Sequence, residues 1–384
     1  MSVVAVSLLT MSNIFTIIAT QKSLPHRDME QHDTLNIIID LCKPFKTDGL
    51  ASISLTESEM KAVCTTICQN GCSGWCVGNI NKFYKENSSL VALAAMLRPN
   101  ALGSLVNNQR NLALFQKIES MLASHGIELI ALKGLAVAAT LYSDMSQRTI
   151  GDIDVLVHHD NIYKAHRLIR SELGGVIREH ERRTNILSET LRTHLNPMTL
   201  DGQIIELHFN LYSQDSLRAP NVDIFQHICC NKIKTLDATM MLYHLLSHLI
   251  KNRHDKGIRI NWIVDIVQLL TSYDGDVCCL CDDALEMNSH YRQTMLWAML
   301  HICSLLPEEK RLRIEEHYNS PTTSIDASFL AKIGGSTKGG IHQRLKTFKH
   351  LIVEITRQTF SQRGLKNKCR HFADICYDLY HRNH

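Results

Sequence analysis

The sequence predicts an α/β (α+β) chain in which a mixed-sheet core lies between an N-terminal and a C-terminal helical region. Three observations carry that expectation. Before about residue 125 and again after 236, apolar residues recur at three-to-four spacing, the period of a helix with one buried face. Between those stretches the rhythm changes to short apolar runs, Ile127 to Leu132, Ile153 to Val157 and Gln203 to Phe209, which have strand character. Carboxylates interrupt these runs, Asp152 and Asp154 at one and Glu206 in another. The boundaries that follow are 1–125 for the N-terminal helical region, 126–235 for the core, and 236–384 for the C-terminal helical domain with its basic tail.

The elements follow in order. Leu35 to Leu41, Glu57 to Cys68, Ser89 to Leu97 and Asn107 to Ala123 are amphipathic, with Pro99 and Gly103 punctuating the last two. His125-Gly126 ends that series where a C-terminal glycine belongs. The strand Ile127 to Leu132 passes through Lys133-Gly134 into an Ala-rich helix, Leu135 to Tyr142. A strand at Ile153 to Val157 precedes a helix at Asn161 to Leu173, which Gly174-Gly175 stops, and residues 176 to 200 add one or two strands. Helices are expected at Thr239 to Ile250, Ile258 to Leu270, Asp282 to Leu306 and Leu345 to Phe360, with a loop or linker over 318–342 where Pro321, Gly334-Gly335 and Gly339-Gly340 cluster.

Composition excludes the extremes. With 384 residues, 45% hydrophobic and 21% charged, the chain is neither disordered nor fibrous, and it exceeds the ~250 to 300 residues at which single cores stop growing. Net charge is only +3, yet residues 332 to 384 carry 11 Lys or Arg against 3 Asp or Glu; solvated helix faces explain this more simply than a phosphate-backbone track. Thirteen cysteines without the spacing of a secreted disulfide scaffold point to a reducing compartment. Cys64, Cys68, Cys72 and Cys76 recur every four residues, a stripe too long to close around one Zn²⁺, and Gly71 and Gly74 interrupt it; small core residues account for it better. The first twenty residues are apolar but carry no Lys or Arg and no clear cleavage site, so a cytoplasmic protein without a membrane span is expected.

The chemistry concentrates in Arg148-Thr149-Ile150-Gly151-Asp152-Ile153-Asp154-Val155-Leu156-Val157. Alternate residues of a strand share a face, so Asp152 and Asp154 project together while Ile153, Val155 and Val157 pack inward. Glu206 sits between apolar neighbours in Ile204-Ile205-Glu206-Leu207-His208-Phe209, and a charge there needs a partner, which a bound cation supplies. Hard oxygen donors of this kind suit Mg²⁺, and without it their repulsion in a partly buried site raises at least one pKa. His208 shares the Glu206 face and serves either the site or the core. His158-His159-Asp160 reads as a surface turn, and His248 with Asp265 as a brace of the helical domain.

These residues resemble the DNA polymerase β-like nucleotidyltransferase superfamily, and more narrowly an uncharacterised bacterial nucleotidyltransferase family with "LKG", "R..GDIDLLV" and "IELHW" blocks. The matching positions are Leu132-Lys133-Gly134, Tyr142, Arg148, Gly151-Asp152-Ile153-Asp154-Val155-Leu156-Val157 and Ile205-Glu206-Leu207-His208, with His248 and Ile258 to Ile266 downstream. Phe209 stands where that family commonly has Trp, and Leu135 follows Gly134 where the superfamily has Gly or Ser. The resemblance implies that Asp152, Asp154 and Glu206 bind Mg²⁺, with Mn²⁺ the alternative, and that Lys133, Gly134, Arg148 and Gly151 meet the nucleotide, although Arg148 is equally suited to pair with a carboxylate. It implies transfer of NMP from an NTP to a hydroxyl or phosphate acceptor; three acceptors compete, ranked as a small molecule, a protein or peptide side chain, and an RNA end, which only the basic C-terminus favours. A non-catalytic nucleotide- or partner-binding protein on the same fold is the competing class.

Overall fold

The computed structural model describes residues 27–177, 193–212, 219–252 and 259–325, together with Phe329. Among the described residues five helices come first: α1 (Arg27–Cys42), the single turn α2 (Asp48–Ala51), α3 (Glu57–Gln69), α4 (Ser73–Phe83) and α5 (Ser88–Ser124). Helix α3 begins with a reciprocal cap between Thr56 and Glu59, which satisfies two otherwise orphaned amides. The cysteine stripe breaks between α3 and α4 at Gly71, whose φ of 67° is left-handed and suits a residue without Cβ. Gly74, expected to share in that break, instead lies inside α4, where a Cβ would sit 1.9 Å from the Ser146 carbonyl oxygen. Its small size serves a close approach between helix and loop.

The sequence suggested two helices separated near Pro99 and Gly103. The structure runs one helix of 37 residues through both. An internal proline costs about 3 kcal/mol, but the inner stripe continues across it through Leu93, Leu97, Ala101, Ser104 and Asn108, so packing on both sides holds the helix together. Among the described residues α5 is also a helix long and apolar enough to cross a membrane by length and composition. Its inner face packs on α4 and carries buried Asn108 and Asn111, as a helix of this fold would.

The sheet then forms. β1 (Ile130–Ala131), α6 (Lys133–Thr140), β2 (Ile153–Leu156), α7 (Ile162–Leu173), β3 (Val176–Ile177), β4 (Met198–Leu200), β5 (Gln203–His208), β6 (Ile228–Cys230) and β7 (Lys234–Leu236) follow one another. The seven strands are ordered β3-β4-β5-β2-β1-β7-β6. β2 pairs parallel with β5 and antiparallel with β1, and β1 pairs parallel with β7, so the sheet is mixed as expected. The hairpin β6–β7 was not anticipated, because each strand is only three residues long and shows too little alternation to register as a period.

Helices α8 (Ala238–Asn252), α9 (Ile260–Ser272), α10 (Val277–Glu286), α11 (Arg292–Cys303) and α12 (Glu308–Tyr318) follow among the described residues. The expected helix from Asp282 to Leu306 is two, α10 and α11. Between them Asn288 is buried and bonds the Ala219 carbonyl oxygen and the His290 amide, a turn role that competes with helix continuation. Helix α12 was missed because only Ile314 of its eleven residues is buried. The apolar segment 1–20, the helix expected at 345–360 and the basic stretch 332–384 lie outside the described residues. One continuous apolar core runs from Ile38 in α1 through the sheet to Ile325.

Candidate active site

The centre of the sheet explains how two carboxylates meet. In the parallel pairing of β2 and β5, Asp154 stands opposite Glu206 and Leu156 opposite His208. Residues in register share a face, and His208 lies two positions beyond Glu206, so all three polar side chains leave the sheet on one side. The flanking Ile153, Val155, Ile205 and Leu207 are fully buried on the other.

The resulting geometry is tight. One ligand atom from each of Asp154, Glu206 and His208 can be chosen so that all lie within 4.8 Å of one another. His208 Nε2 is 2.9 Å from Asp154 Oδ1 and 3.6 Å from Glu206 Oε2. Lys133 Nζ donates to the same Asp154 oxygen at 2.6 Å. The Asp154 side chain is 4% exposed, whereas those of Glu206 and Lys133 keep 23% and 22%, which opens the cluster on one side only.

Charge follows from this arrangement. Burial alone would raise the Asp154 pKa, but the Lys133 ammonium and the bond from His208 hold the carboxyl well below the usual range. Glu206 is lowered as well, first by its contact with His208. Asp152 goes the other way, pushed up to about 6 by burial and by the charges of Asp154 and Glu206, against Lys133 and Arg148. This is the raised carboxylate expected from three acids around one spot. Burial would lower the Lys133 pKa, yet Asp154, Glu206 and Asp152 together raise it.

The sequence grouping was Asp152, Asp154 and Glu206. The structure brings Asp154, Glu206 and His208 together, and Asp152 stands beside them, one residue before β2 begins. Two carboxylates and an imidazole at this spacing, already drawing an ammonium, form a donor set that fits a divalent cation.

The remaining residues of the grouping divide. Gly134 is buried in the first turn of α6, and its missing side chain faces Arg148 and Ile150 at 3.5 Å. Gly151 is exposed, with nothing within 4 Å of an added Cβ. Arg148 is engaged outside the cluster: Nε and Nη2 grip Asp265 on α9 at 2.9 to 3.2 Å, Nη1 reaches the Thr149 carbonyl, and the Tyr142 hydroxyl closes the group at 2.9 Å from Asp265. Of the two roles read from the sequence, the carboxylate partner is the one this geometry displays. His159 and Asp160 lie in the exposed 3₁₀ turn His159–Asn161, which His158 caps, a surface turn as expected.

Helix α5 fixes the segment that delivers Asp152. Asn108 Nδ2 donates to the Met145 carbonyl at 2.6 Å, Asn107 Nδ2 to the Ile150 carbonyl at 3.0 Å, and Ser104 and Thr149 hydroxyls meet at 2.8 Å. Sequence reasoning missed these asparagines because a polar residue on a helix usually marks the solvent side. It also missed His194, whose ring lies 5.0 Å from that of His208, and His244 on α8, whose buried Nδ1 meets the Tyr212 hydroxyl at 3.3 Å. His244 precedes His248 by four residues, one helical turn on the same face, and that spacing was the available signal.

The sheet is mixed, its paired acids stand on neighbouring parallel strands, and helices flank it. Residues 56–307 match the sequence model described as an uncharacterised nucleotidyltransferase, and the chain belongs to that family. A crystal structure of an antigenic nucleotidyltransferase-like protein from Paracoccidioides brasiliensis is similar at 19% identity and a TM-score of 0.35, covering 57% of this chain and 94% of that one. Comparison with curated proteins gave no match.

Proposed function

We propose that the protein transfers NMP from an NTP to a hydroxyl or phosphate acceptor and releases pyrophosphate. The observation that carries this reading is the register of β2 on β5, which sets Asp154 opposite Glu206 with His208 beside them. Asp154 and Glu206 would hold a divalent cation, Mg²⁺ or Mn²⁺, with His208 as the nitrogen donor and Asp152 at its flank. Bound there, the cation would supply charge stabilisation at the phosphoryl oxygens. The acceptor oxygen forms its bond to the α-phosphorus as the bond to pyrophosphate breaks, and the acceptor proton passes to the half-exposed edge of the cluster at Glu206 or to solvent.

Lys133 would neutralise phosphate charge beside the cluster, and Gly134 would bring the start of α6 near it. Arg148 acts through Asp265 and Thr149 as a positioning residue for the Asp152 segment. The helical region from 236 onward would form the opposite wall and choose the acceptor, with small molecules ranked before proteins or peptides and RNA ends last.

The test is Mg²⁺- or Mn²⁺-dependent incorporation of each α-labelled NTP into small-molecule, protein and RNA fractions of a cell extract. Label should appear in one fraction and fall at least about 100-fold, a loss typical of removing a group that stabilises transition-state charge, when Asp152→Ala and Asp154→Ala are combined. NTP binding that ignores both substitutions, without incorporation, would instead favour a binding protein on this fold.

A further inference from the structure

The ammonium of Lys133 occupies a coordination direction of the very oxygen that the metal reading needs. Asp154 Oδ1 accepts from Lys133 Nζ at 2.6 Å and meets His208 Nε2 at 2.9 Å. Lys133 is anchored beside this carboxylate, since the preceding residue, Leu132, donates its amide to the Asp154 carbonyl at 3.0 Å. Its backbone enters α6 at a φ of 44°, a left-handed conformation disfavoured for side chains with a Cβ and retained where surrounding structure requires it. The side chain keeps 22% exposure, so the head group has a way out. Arg148, the other cation acting on Asp152, is held by Asp265.

We infer that Lys133 is the resident counter-ion of Asp154 in the free protein, gives up that carboxylate when a divalent cation binds, and presents the released ammonium to the phosphates of the nucleotide. One side chain thereby couples metal binding to nucleotide binding. A divalent cation and an ammonium repel strongly when they share a carboxylate of low exposure, so the lysine head moves toward the open side. A triphosphate waiting there favours the exchanged arrangement, and linkage makes the effect reciprocal. The inference rests on the nucleotidyl-transfer reading of this site.

The test titrates Mn²⁺ into the full chain and follows free Mn²⁺ by paramagnetic resonance, with and without an α,β-methylene NTP, for the wild type, Lys133→Met and Asp154→Asn. Without nucleotide, Lys133→Met should bind Mn²⁺ at least about tenfold more tightly than the wild type, a difference worth about 1.4 kcal/mol. The nucleotide should tighten Mn²⁺ binding in the wild type and do so several-fold less in the variant. Weaker or equal Mn²⁺ binding in Lys133→Met, while Asp154→Asn still abolishes it, overturns the counter-ion role and leaves the metal site standing. Mn²⁺ binding that ignores Asp154→Asn overturns both. Lys133→Gln supplies a second variant should the Met form fail to fold, and its binding is read against the same outcomes. A wild type whose Mn²⁺ affinity does not change with nucleotide also overturns the coupling.

Discussion

At the residue scale, the cluster of Asp154, Glu206, His208 and Lys133 stands apart from a second buried charge group that ties elements together. Arg148 and Asp265 have side chains 8% and 1% exposed, with Tyr142 and the Thr149 carbonyl completing their hydrogen bonds. Removing one member strands the other, and breaking a buried pair in this way costs about 3 to 5 kcal/mol. Urea unfolding of Asp265→Ala should register a loss of that order, with Asp265→Asn intermediate because it can still accept from Arg148. His244 adds a pH dependence. Burial, and then Lys133, His248 and His208 against the opposing Asp154, depress its pKa well below the ordinary value. Above about pH 6.5, the unperturbed histidine value, it is neutral in both folded and unfolded chains and costs nothing. As pH falls below that value the unfolded chain takes the proton first, so stability is lost by up to about 1.4 kcal/mol per pH unit until the folded-state value is reached. The wild type should therefore lose more stability between pH 7 and 5 than His244→Gln, and equal losses in urea melts would refute the assignment.

At the element scale, two glycines of the N-terminal helices make opposite predictions. An added Cβ at Gly74 meets backbone, the Ser146 carbonyl at 1.9 Å, whereas at Gly103 it meets nothing within 4 Å. Gly103→Ala should stabilise the middle of α5 by about 0.5 to 1 kcal/mol. Gly74→Ala should destabilise by about 1 to 3 kcal/mol, the usual scale of overpacking, and should weaken cation binding at the proposed site too, because the displaced loop leads to Asp152. Thermal unfolding with a metal titration reads both. These elements also show what was legible in advance. The acids on β2 and β5 stood out because charge inside a strand-length apolar run is costly, and the local pattern carried that information. The pairing of Asp154 with His208, and of Arg148 with Asp265 across 117 positions of chain, depends on register and packing that no local period encodes. The same limit applies to α5, where the sequence records the local cost of Pro99 but not the tertiary contacts that overcome it.

At the scale of the whole molecule, the helical regions on either side of the sheet are joined to each other as well as to it. Asn70, at the end of α3, accepts the Ile260 amide at the start of α9 at 3.0 Å. Gln268 of α9 donates to the Leu141 carbonyl at 2.9 Å, and Trp75 of α4 stands edge-on to Tyr142 at 5.5 Å. With a core continuous from α1 to the last helices, fluorescence of Trp75 and of Trp262, each isolated by replacing the other tryptophans with Phe, should report the same urea midpoint. Separate midpoints would show that the regions proposed from the sequence unfold on their own.

The parallel contact of β1 with β7 has a consequence in time. The Thr235 hydroxyl bonds the Ala131 carbonyl across 104 positions of chain, whereas β2 and β5 meet across about half that span. Closing a longer loop exacts more entropy before any contact rewards it. During synthesis the strands that bear the acids are therefore complete while the far edge of the sheet is still in the ribosome. The nascent chain should bring Asp154, Glu206 and His208 together before it acquires its final outline.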